Sequence, residues 1–267
     1  MKKLLIASTI IGSLALTSTA AFAMVEESGV APGVATQPVK KKAAVVQSAN
    51  KETQNRIEYT KTTSYLEDGS VNAVVETWVD PVTHDKRIDG LVKEDDGTVH
   101  PKSTYLLENG TKWVEVARDN NGKAIRGKYY MLTEKESLEA EDSFTWDSFA
   151  DIKAIFDETG WKNEGLLESK DGKKLIKLYG QNLLVDDIQP EGSTQVVHEY
   201  VQIDKDTGLP VKVERYAVDP AYEGGAKRSF GVDTYEYKYV DDKSLFDTTG
   251  IPMKEYSKLQ WIHGVEY

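Results

Sequence analysis

The segment Val196–Tyr216, VVHEYVQIDKDTGLPVKVERY, constrains the fold most. β-Branched and aromatic residues fill Val196–Ile203. Beyond a break, Val211, Val213 and Arg215 alternate with Lys212, Glu214 and Tyr216. That period of two puts successive side chains on opposite faces of a half-buried strand. The break itself, Asp204 to Pro210, is made of turn formers. Asp side chains bond their own backbone, Gly208 reaches positive φ at no steric cost, and Pro210 fixes φ where the chain re-enters a strand. The unit is an antiparallel hairpin, and most of the chain repeats it.

Arg56–Tyr65 and Val71–Val79 flank a Glu67-Asp68-Gly69-Ser70 turn, and Asp80-Pro81 ends the second strand because proline cannot donate to a ladder. His84–Lys93 is a third strand, polar enough for a sheet edge. Thr104–Leu107 and Lys112–Arg118 flank Asn109-Gly110, whose preferred turn needs positive φ at both central residues. Gly127–Leu132 follows as a short strand. Trp161–Ser169 and Lys173–Gly180 turn about Asp171-Gly172, Asn182–Glu191 reads as a loop, and Val232–Val240 is the last strand. One helical region stands out within Glu134–Glu158. There Phe149, Ile152, Ile155 and Phe156 recur at spacings of three and four, Asp147 or Ser148 caps the start, and Gly160 suits the stop. Hairpin after hairpin with one main helix predicts a mainly β, α+β chain with an antiparallel sheet. A single domain is expected over 55–257, with 258–267 as a tail.

The N-terminus reads as a leader. Lys2-Lys3, an apolar run over Leu4–Leu16 and Ala21-Phe22-Ala23 make a signal peptide over 1–23, cleaved after Ala23. The apolar run is short for a membrane span, so no stable membrane anchor is expected. Residues 24–54, with Pro32, Gly33, Pro38 and Lys40-Lys41-Lys42 but no sustained period, read as a flexible tether. The expected location is therefore outside the cytoplasm: periplasmic, extracellular or in the cell envelope. The chain has no cysteine, hence no disulfide and no thiol for lipid anchoring at the cleavage site. Its net charge of −11 argues against a nucleic-acid partner, whose phosphates need a basic face.

Signals for catalysis are weak. His84, His100, His198 and His263 lack metal-ligand spacing, and no G-x-S-x-G elbow is present. The pairs Asp95-Asp96, Asp186-Asp187 and Asp241-Asp242 read as solvated turn acids. Asp204-x-Asp206-x-Gly208 opens like a calcium loop, but Arg215 stands where the bidentate glutamate belongs. No catalytic residue, metal or cofactor is expected. Apolar and aromatic surface remains. Tyr235, Tyr237 and Tyr239 share one strand face, and Trp78, Trp113, Val201, Val211 and Val213 lie in other strands. With Phe149, Ile152 and Phe156 of the helix, these residues are candidates to line a pocket for acyl chains. Ordinary core packing explains the same pattern, and a helix across the mouth of a bent sheet would satisfy both.

Four features resemble the LolA-like and RseB-like envelope proteins. They are Trp78-Val79-Asp80-Pro81 with Lys86-Arg87-Ile88; Glu108-Asn109-Gly110 with Trp113; Asp206-Thr207-Gly208-Leu209-Pro210 with Val211–Glu214; and Tyr235–Tyr239 with Leu245-Phe246-Asp247. The resemblance implies a curved antiparallel β half-barrel with a helix packed in or over its concave face. It also implies that this face binds a lipid or lipoprotein acyl chain, or else an envelope protein partner in a stress-regulatory role. One departure is plain: Asp85-Lys86-Arg87-Ile88 stands near the place of the Pro-x-x-Phe-Arg-Trp stretch of true lipoprotein carriers. A hydrolase acting on cell-wall material is a third reading, and it requires a clustered acid pair in a cleft.

Overall fold

A computed structural model describes residues 56–93, 98–137, 148–157, 160–186, 193–218 and 227–263. The leader over 1–23 and the tether over 24–54 lie outside the described residues. So does most of the acid-rich stretch before the main helix.

The strands are β1 (Ile57–Tyr65), β2 (Val71–Val79), β3 (Lys86–Lys93), β4 (Val99–Leu107), β5 (Lys112–Arg118), β6 (Ala124–Met131), β7 (Lys162–Glu168), β8 (Lys174–Asp186), β9 (Ser193–Asp204), β10 (Pro210–Val218), β11 (Lys227–Val240) and β12 (Met253–Glu255). Helix α1 spans Phe149–Phe156, a 3-10 turn spans Lys243–Phe246, and α2 spans Lys258–His263. All twelve strands form one curved, unclosed sheet in the order β12-β6-β5-β4-β3-β2-β1-β11-β10-β9-β8-β7. Two meanders, β1–β6 and β7–β11, are therefore joined where β1 pairs with β11, from Ile57↔Val240 to Tyr65↔Val232. The pairing is antiparallel except for the short parallel contact of β12 with β6.

The turns follow the local chemistry. In the β9–β10 hairpin the Asp204 carboxylate accepts from the Asp206 and Thr207 amides, and Gly208 sits at φ 72°. In the β4–β5 turn positive φ extends one residue earlier than expected, over Glu108, Asn109 and Gly110, so a wider reversal replaces the two-residue one. Three expectations change. β3 is no edge strand, because it pairs with β2 on one side and β4 on the other. Asn182–Asp186 continues β8 instead of beginning a loop, because its backbone keeps pairing with β9 as far as Asp186↔Ser193. Residues 258–263, expected as tail, form α2.

Cross-strand partners share a face, so the registers sort the whole sheet into two sides. One side carries both helices and is called here the helix face. On it, Val79, Ile88, Leu106 and Leu132 form a buried cluster in the β1–β6 half, with Val75, Trp113 and Tyr130 packed alongside. Trp261 of α2 covers this patch, with its ring centroid 4.7 Å from Tyr130 and 6.5 Å from Trp113. The back face of the same half is buried too. Tyr105, Leu107, Val114 and Val116 lie against Phe246, Ile251 and Met253, and Ile57, Tyr59 and Trp78 lie against Leu245 and Phe246. Gly127 allows this closure, since a Cβ there would overlap the Met253 sulfur.

Candidate functional site

The largest apolar cluster lies on the helix face of the second meander. Phe149, Ile152 and Phe156 of α1 pack on Leu178, Val201, Ile203, Leu209, Val213 and Tyr235, with Tyr237 and Tyr239 half-buried beside them. Local sequence explains why α1 sits there. Ser148 caps the helix through its side chain, and Asp151 returns the bond to the Ser148 backbone, a reciprocal capping box. The spacing of Phe149, Ile152 and Phe156 then turns one apolar stripe to the sheet. Phe149 meets Tyr237 at 5.3 Å edge-on and Tyr239 at the same distance. At the other end Trp161 donates to the Ile155 carbonyl over 3.1 Å and packs 5.4 Å from Phe156. Gly180 of β8 leaves room for that indole, since a Cβ there would come within 2.7 Å of it.

One polar contact joins the helix to β1. The Phe149 amide donates to the Glu58 carboxylate over 2.6 Å. Burial raises the Glu58 pKa, the bond from Phe149 pulls it back in part, and Asp151 adds to the rise.

Beyond Tyr235 the same face changes character. Arg215 binds Glu199 at 2.6 Å and Asp233 at 2.5 Å, and Ser64 donates to Asp233 over 2.6 Å. Glu199 and Asp233 are buried. Burial alone would lower the Arg215 pKa. Its interactions with Tyr235, Glu199 and Asp233 outweigh it and hold the guanidinium above its usual range. Burial also pushes the Tyr235 hydroxyl up.

The expected site residues divide. Val201, Val213, Tyr235, Phe149, Ile152 and Phe156 meet in one cluster, and Tyr237 and Tyr239 pack against it. Val211 falls at a register shift between Pro210 and Lys212 and stays half-buried outside the cluster. Trp113 shares the helix face but belongs to the other half, against Trp261. Trp78 is a correction. It pairs with Tyr59 on the back face, packs 5.3 Å from that ring, and carries Arg87 over its own ring at 4.8 Å. It lines no surface with the tyrosines of β11.

Sequence reading missed Trp161, Leu178 and the Arg215 triad. A signal existed for each. Gly180 inside a strand marks close approach by another group. An arginine in register with Val211 and Val213, facing Glu199 on the next strand, marks a buried ion pair. Of the paired acids, Asp241 and Asp242 are exposed: Asp241 binds Arg56, and Asp242 caps the 3-10 turn. The other two pairs lie wholly or partly outside the described residues. Among the described residues no three His, Cys, Asp or Glu side chains gather as a metal would require, and no helix is long and apolar enough to cross a membrane.

No family model matches the chain, that of the LolA-like proteins included, and no curated protein matches it. Among solved structures it is similar to PNGF-II in two crystal forms, at 11% identity with TM-scores of 0.32 and 0.34. Those matches cover 78% and 79% of this chain, which spans about a third of the length of PNGF-II (32% and 33%). It is also similar to a β-barrel-like protein of the domain of unknown function DUF1849 from Brucella abortus, at 11% identity and a TM-score of 0.18, over 70% of this chain and 97% of the other.

Proposed function

We propose that the chain is an exported, non-catalytic binding protein. It holds the acyl chain of a lipid or lipoprotein on the helix face of β8–β11, taken as the concave side of a half-barrel. Helix α1 occupies that place when no ligand is bound. The observation that carries this reading is the cover itself: a helix of eight residues seals a wall of tyrosines, valines and leucines through three buried side chains.

Magnitudes support the exchange. Burying three such side chains stabilises the seat by roughly 5–9 kcal/mol, at about 1.5–3 kcal/mol each. A dozen methylenes bring about 10 kcal/mol at roughly 0.8 kcal/mol per CH₂. A long acyl chain therefore competes with α1, whereas a short one does not. The reading needs no cofactor. It also favours binding over hydrolysis, because the buried carboxylates Glu199 and Asp233 are both engaged by Arg215 instead of facing each other across a cleft.

The test is uptake of a fluorescent acyl probe by the purified mature protein, with organic extraction to recover any carried lipid. Saturable uptake is expected. Phe149→Ala, which loosens the competing helix, should bind the probe several-fold more tightly. No uptake by either protein, and no lipid in the extract, would sink the reading.

A second reading, an envelope protein-interaction domain, rests on β7. All seven of its residues are exposed at the sheet edge, with Leu166 and Leu167 among them, and an open edge can accept a strand from a partner. Capture of one stoichiometric envelope protein, lost when a proline replaces Leu166, would favour it.

A further inference from the structure

The three tyrosines of the last strand are not equivalent. Tyr235 interacts with Arg215 through its hydroxyl, and Tyr239 lies half-buried with Arg56 5.7 Å from its ring centre. Tyr237 lies between them, stacked on Tyr235 at 6.3 Å and edge-on to Phe149 at 5.3 Å. Its Oη is buried and has no hydrogen-bond partner among the described residues. Directly across the ladder stands Thr60, also buried. An orphaned hydroxyl is costly, whereas a phenylalanine would fill the same space without that cost. Burial also raises the Tyr237 pKa, so the hydroxyl keeps its proton and stays a donor.

We infer that Tyr237 is the polar anchor of the apolar face and that the ligand is an acyl ester or amide, not a hydrocarbon. The carbonyl oxygen at the head of an acyl chain accepts from Tyr237 Oη, while the methylenes take the surface that α1 vacates. This inference rests on the acyl-binding reading above and names the ligand class within it. An alkyl chain satisfies the wall but leaves the phenol as it stands, so the difference between the two ligands is one hydrogen bond. A neutral hydrogen bond of this kind corresponds to roughly a tenfold change in affinity.

The experiment measures displacement of a fluorescent acyl probe from the mature protein by a long-chain fatty acid methyl ester and by an alkane of matched length. The wild type should prefer the ester about tenfold. Tyr237→Phe should lower ester affinity to that of the alkane and leave the alkane unchanged. Tyr235→Phe should keep the preference. The ligand-free Tyr237→Phe protein should unfold at the same temperature or higher, since it loses an unsatisfied group; a lower midpoint would mean that the hydroxyl has a partner and would overturn the inference. Equal binding of ester and alkane by the wild type, or a preference that survives Tyr237→Phe, overturns the anchor and leaves the acyl-binding reading intact. Failure of both compounds to displace or bind overturns the two together.

Discussion

The two halves of the sheet are built from the same hairpins but covered differently. In the β1–β6 half both faces are closed, with α2 and Trp261 on one side and the 243–253 segment on the other. In the β7–β11 half, among the described residues, only the helix face is closed. On the back face Tyr179, His198, Tyr200 and Tyr216 stack across three strands and remain half-exposed, with His198 and Tyr216 4.9 Å apart. Their hydroxyls also bond to neighbours: Tyr179 to His198 at 2.7 Å, and Tyr216 to Tyr200, which pushes the Tyr216 pKa to about 12. The contrast sets a division of labour. A half closed on both faces has three layers to hold the fold, and under the acyl-binding proposal the half with one small cover is the one that would exchange it.

The largest expected effect tests what stabilises the second half where α1 does not reach. Arg215→Met would strand Glu199 and Asp233 in the interior. Breaking a buried ion pair by removing one partner costs about 3–5 kcal/mol. Chemical denaturation at neutral pH should show that loss. A loss under about 1 kcal/mol would mean that solvent reaches the triad and that this region is not core at all.

The next test sets one half directly against the other. Leu106→Ala removes a fully buried side chain from the doubly covered half and should cost about 2–4 kcal/mol. Phe149→Ala removes a larger side chain, for which about 3–5 kcal/mol is usual. Its effect on global unfolding should nevertheless be the smaller, about 1–2 kcal/mol, because the entropy lost in ordering the helix offsets most of the gross burial that seats it, and a helix that undocks by itself cannot cost the rest of the fold more than that net undocking energy. Hydrogen exchange should show α1 amides opening well before those of β4 and β5. Equal costs would dissolve the distinction between a structural half and an exchangeable one.

Much of this arrangement was legible in the residues. The Asp204–Pro210 reversal, the shared face of Tyr235, Tyr237 and Tyr239, and the apolar stripe of α1 all follow from local chemistry, and each is present. What local chemistry does not carry is the joining of faces across strands. The period of two in β2 sets Trp78 opposite Val75 and Val79. Whether it shares a side with Tyr237, however, depends on which strands pair and in what register. The β1–β11 junction, which sets this, links residues more than 160 positions apart. The same blindness hid the triad, since Glu199, Arg215 and Asp233 come from three strands. The end of β8 and the α2 segment were lost for another reason: tertiary pairing and the docking of Trp261 override weak local preference there.

The smallest effect tests the latch between the halves, the bond from the Phe149 amide to Glu58 on β1. Glu58 has its pKa raised, so the native protein binds this proton more tightly than the unfolded chain does. Its contribution to stability is then fullest in acid and declines as pH climbs from about 4.5, the ordinary carboxylate value, through the higher native one. Glu136 has the opposite sign. Held near a pKa of about 2 by Lys258 of α2 and by Thr133, it supports the first half above the ordinary value and gives way only as pH falls toward 2. Glu58→Gln keeps an acceptor for Phe149 but cannot ionise. It should leave neutral-pH stability unchanged or slightly higher, flatten the decline above 4.5, and slow α1 hydrogen exchange at pH 7. If Glu58→Gln instead speeds α1 exchange at neutral pH, the charge itself holds the helix N-terminus, and the cover is pinned more firmly than an exchangeable cover should be.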